Sequence, residues 1–227
     1  MIKRLQSLKK KKGFTLVELI VVIAIIGVLA AILIPTMMGY VTSAKITSLN
    51  STTSSIKNSI DNFLTTADTK GYGMLKGSAN NAELTFAISS GSWTATCKDS
   101  NGTGSFKTGG NLEWKAAPKA VKAGDAKSSI TNAPTLLAVE LADLFPTVQN
   151  GFVWAYIEGG KCLYAYYTED STSTPSGAPS LANFQANSCP WDGSTAGIAS
   201  GGASIGTAPA LDIGTGGSSG GSSGSST

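Results

Sequence analysis

From Phe14 to Ile34 the chain reads FTLVELIVVIAIIGVLAAILI, twenty-one residues with a single charge, Glu18. A helix rises about 1.5 Å per residue, so this segment spans roughly 30 Å, the thickness of a bilayer's hydrocarbon core. A stand-alone soluble domain has no use for such a helix, which must be buried in lipid or against other chains. Six basic residues (Lys3, Arg4, Lys9, Lys10, Lys11 and Lys12) precede it without an acid among them. That asymmetry predicts that the amino terminus stays on the cytoplasmic side. An ordinary secretory signal fits poorly, because the apolar run is too long and no small-residue cleavage site follows it. The polar boundary lies in front of the run, at Lys12-Gly13-Phe14.

Glu18 is the residue that needs explaining. A carboxylate at the centre of a membrane helix costs about 2.5–3.5 kcal/mol on insertion scales. Either it lies close enough to the interface to stay wet, or a cation reaches it during assembly. Gly13-Phe14-Thr15-Leu16-Val17-Glu18, preceded by lysines and followed by an unbroken apolar helix, resembles the type IV pilins and related pseudopilins. The resemblance implies cleavage by a membrane prepilin peptidase between Gly13 and Phe14, and N-methylation of Phe14. It further implies that Glu18 attracts the terminal amine of a neighbouring subunit during filament assembly, which would supply the missing cation. Gly27 and Pro35 match positions where the family's helix kinks or melts locally in the filament. Both are weak helix points, glycine for backbone entropy and proline for its missing donor.

Beyond Pro35 the apolar residues become periodic. Ile46, Leu49, Thr53, Ile56, Ile60, Phe63 and Leu64 recur at steps of three and four, a helix with one apolar stripe that should run to about Thr66. Leu84–Ile88 and Trp93–Cys97 alternate at period two around Ser89-Ser90-Gly91-Ser92, which predicts a hairpin. A second hairpin is expected from Phe152–Glu158 and Lys161–Thr168 around Gly159-Gly160. Between them, Pro134 to Phe145 reads as a short amphipathic helix capped by Asn132, and another strand is expected around Leu112 and Trp114. These elements predict an α+β fold: a long amino-terminal helix packed under an antiparallel sheet, as in the pilins. The expected divisions are a leader at 1–13, a helix at 14–66 whose first part, 14–34, is the membrane or filament core, and a head at 67–191. A flexible tail is expected at 192–227, where 36 residues hold 11 glycines and 9 serines and no aromatic.

Composition narrows the function further. There is no histidine, which excludes Ser-His-Asp and Cys-His catalysis and every imidazole zinc site. The 214 residues after the leader carry 11 basic and 14 acidic side chains, so the head is not a nucleic-acid binder by charge. Asp99-Ser-Asn-Gly102 lacks the downstream glutamate of a calcium loop, and Glu169-Asp170 reads as a solvated strand end. The expectation is a protein that is not an enzyme and has neither metal nor cofactor. Three cysteines, Cys97, Cys162 and Cys189, allow three single pairings and leave one over. The pilin resemblance favours Cys162 with Cys189, as in the family's carboxy-terminal disulfide loop; three free thiols is the other reading.

The leading expectation is a structural subunit that inserts in the cytoplasmic membrane as a prepilin. It then polymerises with copies of itself, through a membrane assembly machinery, into a surface filament for adhesion or motility. A pseudopilin of a type II secretion or DNA-uptake system shares the same amino-terminal logic. A pilin-like adhesin that binds polysaccharide is the third reading; it needs the face carrying Trp154 and Tyr156 to be exposed, whereas sheet aromatics are more often core. One prediction follows from the boundary itself. Gly13→Ser, or any bulkier residue there, should leave the leader attached, and intact mass would show a chain heavier than the Phe14 product by residues 1–13. Recovery of normally processed protein would overturn the cleavage assignment.

Overall fold

The computed structural model describes residues 14–70, 81–99, 114, 118–187 and 197–211. Internal contacts divide the chain after Ala44 into two units. The first contains the apolar part of helix α1 (Leu16–Thr69), whose helical conformation is unbroken at Gly27 and Pro35. Local melting at those two positions therefore belongs to a proposal about the filament and not to the single chain. The expected helix is present, three residues longer than its stripe suggests.

The second unit holds the rest of α1 and the sheet. Among the described residues six strands form one antiparallel sheet: β1 (Asn81–Ser89), β2 (Ser92–Asp99), β3 (Ala120–Val121), β4 (Gly151–Glu158), β5 (Lys161–Thr168) and β6 (Ile205–Ala208), in the order β3-β2-β1-β4-β5-β6. Both expected hairpins are present, with Ala87 opposite Thr94 in the first and Trp154 opposite Tyr166 in the second. Gly159 and Gly160 both hold positive φ, 58° and 79°. That is the geometry a two-residue turn requires for its twist to match the strands it joins. Helix α2 (Ala133–Leu144) begins where expected, its cap Asn132 accepting the Thr135 amide at 2.9 Å.

The apolar stripe of α1 meets the inner face of the sheet. Leu49, Ile56, Ile60, Phe63, Leu64 and Ala67 are buried with Leu84, Phe86 and Ile88 of β1 and Val153, Ala155 and Ile157 of β4, and α2 closes the same core. Thr53, the polar member of the stripe, donates its hydroxyl to the Leu49 carbonyl at 2.7 Å and so enters the core satisfied. Of the strand expected around Leu112 and Trp114, only Trp114 lies within the described residues; it is fully buried, edge-on to Phe63 at 6.1 Å.

One open reading is decided in favour of core, and one expectation needs correction. The outer face of the second hairpin is covered: Phe152, Trp154, Tyr156 and Tyr166 form a second core with Phe184, Ala199, Ala203, Ile205 and Leu211. Helix α3 (Leu181–Gln185) lays Phe184 on Trp154 and Tyr164, with centroids 5.8 and 5.2 Å apart. The flexible tail also starts later than 192. Residues 197–211 are part of the head, and β6 pairs along β5 from Thr168 opposite Ile205 to Ala165 opposite Ala208. The physical reason is steric: this strand runs against α1, and a Cβ at Gly206 would overlap the Leu49 carbonyl group. A segment that must pass so close to a helix is built from small residues, which by composition resemble a linker. Residues 212–227 of the expected tail and 1–13 of the expected leader lie outside the described residues.

Because Ile60 is fully buried in the inner core, Ile60→Ala should lower unfolding stability by about 2–5 kcal/mol. Ser55→Ala on the exposed side of the same helix should change it by less than about 0.5 kcal/mol. The denaturant midpoints of the two variants measure this, and equal midpoints would contradict the packing.

Candidate functional site: the amino-terminal helix

The segment expected to drive assembly is displayed in full. Large apolar side chains from Phe14 to Val41 are 49–86% exposed. By length and composition α1 qualifies as a membrane span, and none of its most apolar window is buried inside the structure. Soluble domains rarely leave a contiguous apolar surface of this extent uncovered. Tyr40, Met37 and Met38 extend the exposed surface beyond Pro35.

At the start of the helix the side chains are less free than the sequence suggests. The Thr15 amide donates to Glu18 Oε2 at 2.8 Å, the Thr15 hydroxyl donates to the same oxygen at 2.7 Å, and the Glu18 amide donates to Thr15 Oγ1 at 3.2 Å. This is a reciprocal capping box, Thr15 at the cap and Glu18 three residues on. It satisfies two amides that a helix start otherwise leaves without partners. It also gives the carboxylate two donors from its own chain, at the positive end of the helix dipole. A carboxylate has about four acceptor sites, so two donors leave capacity for an incoming cation. The Thr-x-x-Glu spacing carried this signal in the sequence, and the two readings of Glu18, water or a neighbour's amine, overlooked Thr15.

The remaining site residues distribute as follows. Phe14 lies directly ahead of the helix and is 86% exposed; Gly13 lies outside the described residues. Gly27 has nothing within 4 Å of where a Cβ would stand, so no packing against its own chain demands a glycine there. Cys97 and Cys162 are buried free thiols, and burial pushes both up to about 12. Cys189 lies outside the described residues, so its pairing with Cys162 stays a proposal. Asp170 is not merely a solvated strand end: it bonds Lys45 of α1 at 3.0 Å and accepts the Ser204 amide at 2.7 Å. Among the described residues no cluster of metal-ligating side chains occurs.

Comparison with known proteins bears on this helix first. The prokaryotic N-terminal methylation motif matches residues 8–34. The type IV major fimbrial protein FimA of Dichelobacter nodosus is 43% identical over 54 residues, 24% of this chain and 35% of its own length. A fimbrial protein of Pseudomonas aeruginosa is 44% identical over 57 residues, 25% of this chain and 37% of its own. Fimbrial protein Q of Moraxella bovis is 34% identical over 117 residues, covering 49% of this chain and 73% of that protein. The chain belongs to the type IV pilin family. The match spans about a third of the length of the first two relatives, so for most of the head this pilin's likeness to them is unmatched in sequence. No solved structure gives a significant match.

Removing the cap tests the geometry directly. Thr15→Val keeps the size of the side chain but loses the hydroxyl, and should cost about 1 kcal/mol of local helix stability. Read as amide exchange in the first turn of the full-length pilin in detergent, that is roughly a fivefold rise. No change there would remove the capping box from the free subunit.

Proposed function

We propose that this pilin is a structural subunit of a type IV pilus. It is cut between Gly13 and Phe14 by a prepilin peptidase, methylated at Phe14, and held in the cytoplasmic membrane by α1 until the assembly machinery adds it to a surface filament of identical subunits. The observation that carries this reading is the apolar helix, exposed from Phe14 to Val41 and opened by a carboxylate with unused acceptor capacity. Lipid covers that surface before assembly, and copies of the same helix cover it afterwards. In a bilayer the helix gains little by leaving lipid for other apolar helices, so direction must come from polar pairing. Glu18 fits that task. Its own Thr15 holds it during residence in the membrane, and the amine at a neighbour's Phe14 completes its shell on assembly.

The fimbrial names of the three relatives above favour a pilus over a secretion pseudopilin. The polysaccharide reading loses its motive, since Trp154 and Tyr156 are buried under α3 and residues 197–211. Glu18→Ala should leave the pilin membrane-inserted and processed while reducing filament in the sheared fraction by roughly tenfold or more. Normal filament yield from this variant would count decisively against the role given to Glu18.

A further inference from the structure

Residues 197–211, a segment rich in glycine and alanine, close the head. They fold into a tight hairpin, with the Ile205 amide donating to the Gly197 carbonyl at 2.6 Å and the Ala199 amide to the Ala203 carbonyl at 2.8 Å. The chain then continues as β6 along β5. Its hold on α1 is polar: Asn50 Oδ1 accepts the Thr207 amide at 2.7 Å. Asp170 links the same two elements, one oxygen 3.0 Å from Lys45 Nζ and the other accepting the Ser204 amide at 2.7 Å. Under the segment lie Phe152, Trp154 and Tyr166, which it shields with Ala199, Ala203, Ile205 and Leu211.

We propose that residues 197–211 are a non-covalent clasp on the head, locked by Asp170 between Lys45 and the Ser204 amide, that opens in acid as a local unit and bares the aromatic layer. The clasp does by hydrogen bonds and one ion pair what a carboxy-terminal disulfide would do covalently. Its buried apolar side chains are Ala199, Ala203, Ile205, Ala208 and Leu211, three of them alanine, and the titratable group bonded to it among the described residues is Asp170. Burial pushes the Asp170 carboxyl upward, but the Ser204 amide and Lys45 outweigh it and hold it below the ordinary carboxylate range. A lowered folded value means that the lock is complete above the unfolded value and is lost as pH falls through the folded one. Lys45 faces Asp170 from α1. From β5 comes Tyr167, whose phenol burial pushes far upward, and the clasp offers the Ser204 amide and hydroxyl. The chain neighbour Glu169 is the other carboxylate at this end of β5, which makes Glu169→Gln the control.

The experiment is hydrogen exchange by mass spectrometry on the full-length pilin in detergent, corrected for intrinsic rates. Asp170→Asn at pH 7 should raise exchange in 197–211 roughly tenfold while β1 and β4 keep their protection. The unsubstituted chain, which needs no variant to fold, should show a rise confined to the same segment as pH is lowered from 7 to below the ordinary carboxylate range, reaching the size of the Asp170→Asn effect only below the folded value, and Glu169→Gln at pH 7 should show none. Unchanged protection of 197–211, or a rise spread evenly over the head, overturns the proposal. Opening by thiol reduction alone at pH 7 overturns it too, because the closure would then be covalent.

Discussion

Leu49, Ile56, Ile60, Phe63, Leu64 and Ala67 make one apolar stripe, and a helix so patterned is stable in water only under a broad cover. The antiparallel hairpins supply that cover, because alternate residues of β1 and β4 point to one face and are apolar there. Everything else in the head is arranged to keep this contact closed. α2 covers β2 and β3, and Trp114 fills the space against Phe63. The central strands receive a second cover on their outer side, which is why every residue of β4 from Gly151 to Ile157 is buried. In one direction along α1 the stripe is satisfied within the chain; in the other the apolar surface is left for something else to bury. The division after Ala44 marks that change of partner.

The elements with a strong period were legible in the sequence. The α1 stripe, both hairpins and the Asn132 cap all rest on local patterns, of 3.6 residues, of two residues, or of one polar side chain before a helix. What escaped was non-local. Whether Phe152, Trp154 and Tyr156 face water or a second core depends on a segment more than forty residues away, and no strand pattern encodes that. β6 was read as linker because Ile205-Gly206-Thr207-Ala208 has the composition of one. Its glycine answers to the Leu49 carbonyl and not to flexibility. Ala199, Ala203, Ile205, Ala208 and Leu211 were a faint apolar signal inside a glycine-serine background.

The same limit applied to Glu18, with the opposite result. As a lone charge in an apolar run it looked unpartnered within its own chain, and the remedies in view were water at the interface or a cation from outside. The structure adds Thr15, which bonds both the carboxylate and the Glu18 amide. A polar pair at a helix start serves two needs at once, since it caps the helix and shields a charge from lipid. It also changes how assembly is viewed. On the proposed role of Glu18, an added subunit would complete the coordination of a carboxylate already half satisfied by its own chain.

The thiols carry the argument about closure one step further. Cys97 and Cys162 lie on β2 and β5, with β1 and β4 between them. Three steps of about 4.8 Å separate their backbones by roughly 14 Å, twice the reach of a disulfide. The pair is therefore excluded by topology, and a bond can involve only Cys189 with one of them. Either partner is deeply buried with its thiol pushed up to about 12, and the thiolate is the reactive form. A cystine at Cys162 would accordingly have to form while the chain folds, before β5 is covered. Once the head has closed over Cys162 as a thiol, its further stability rests on packing and on the hydrogen bonds of residues 197–211.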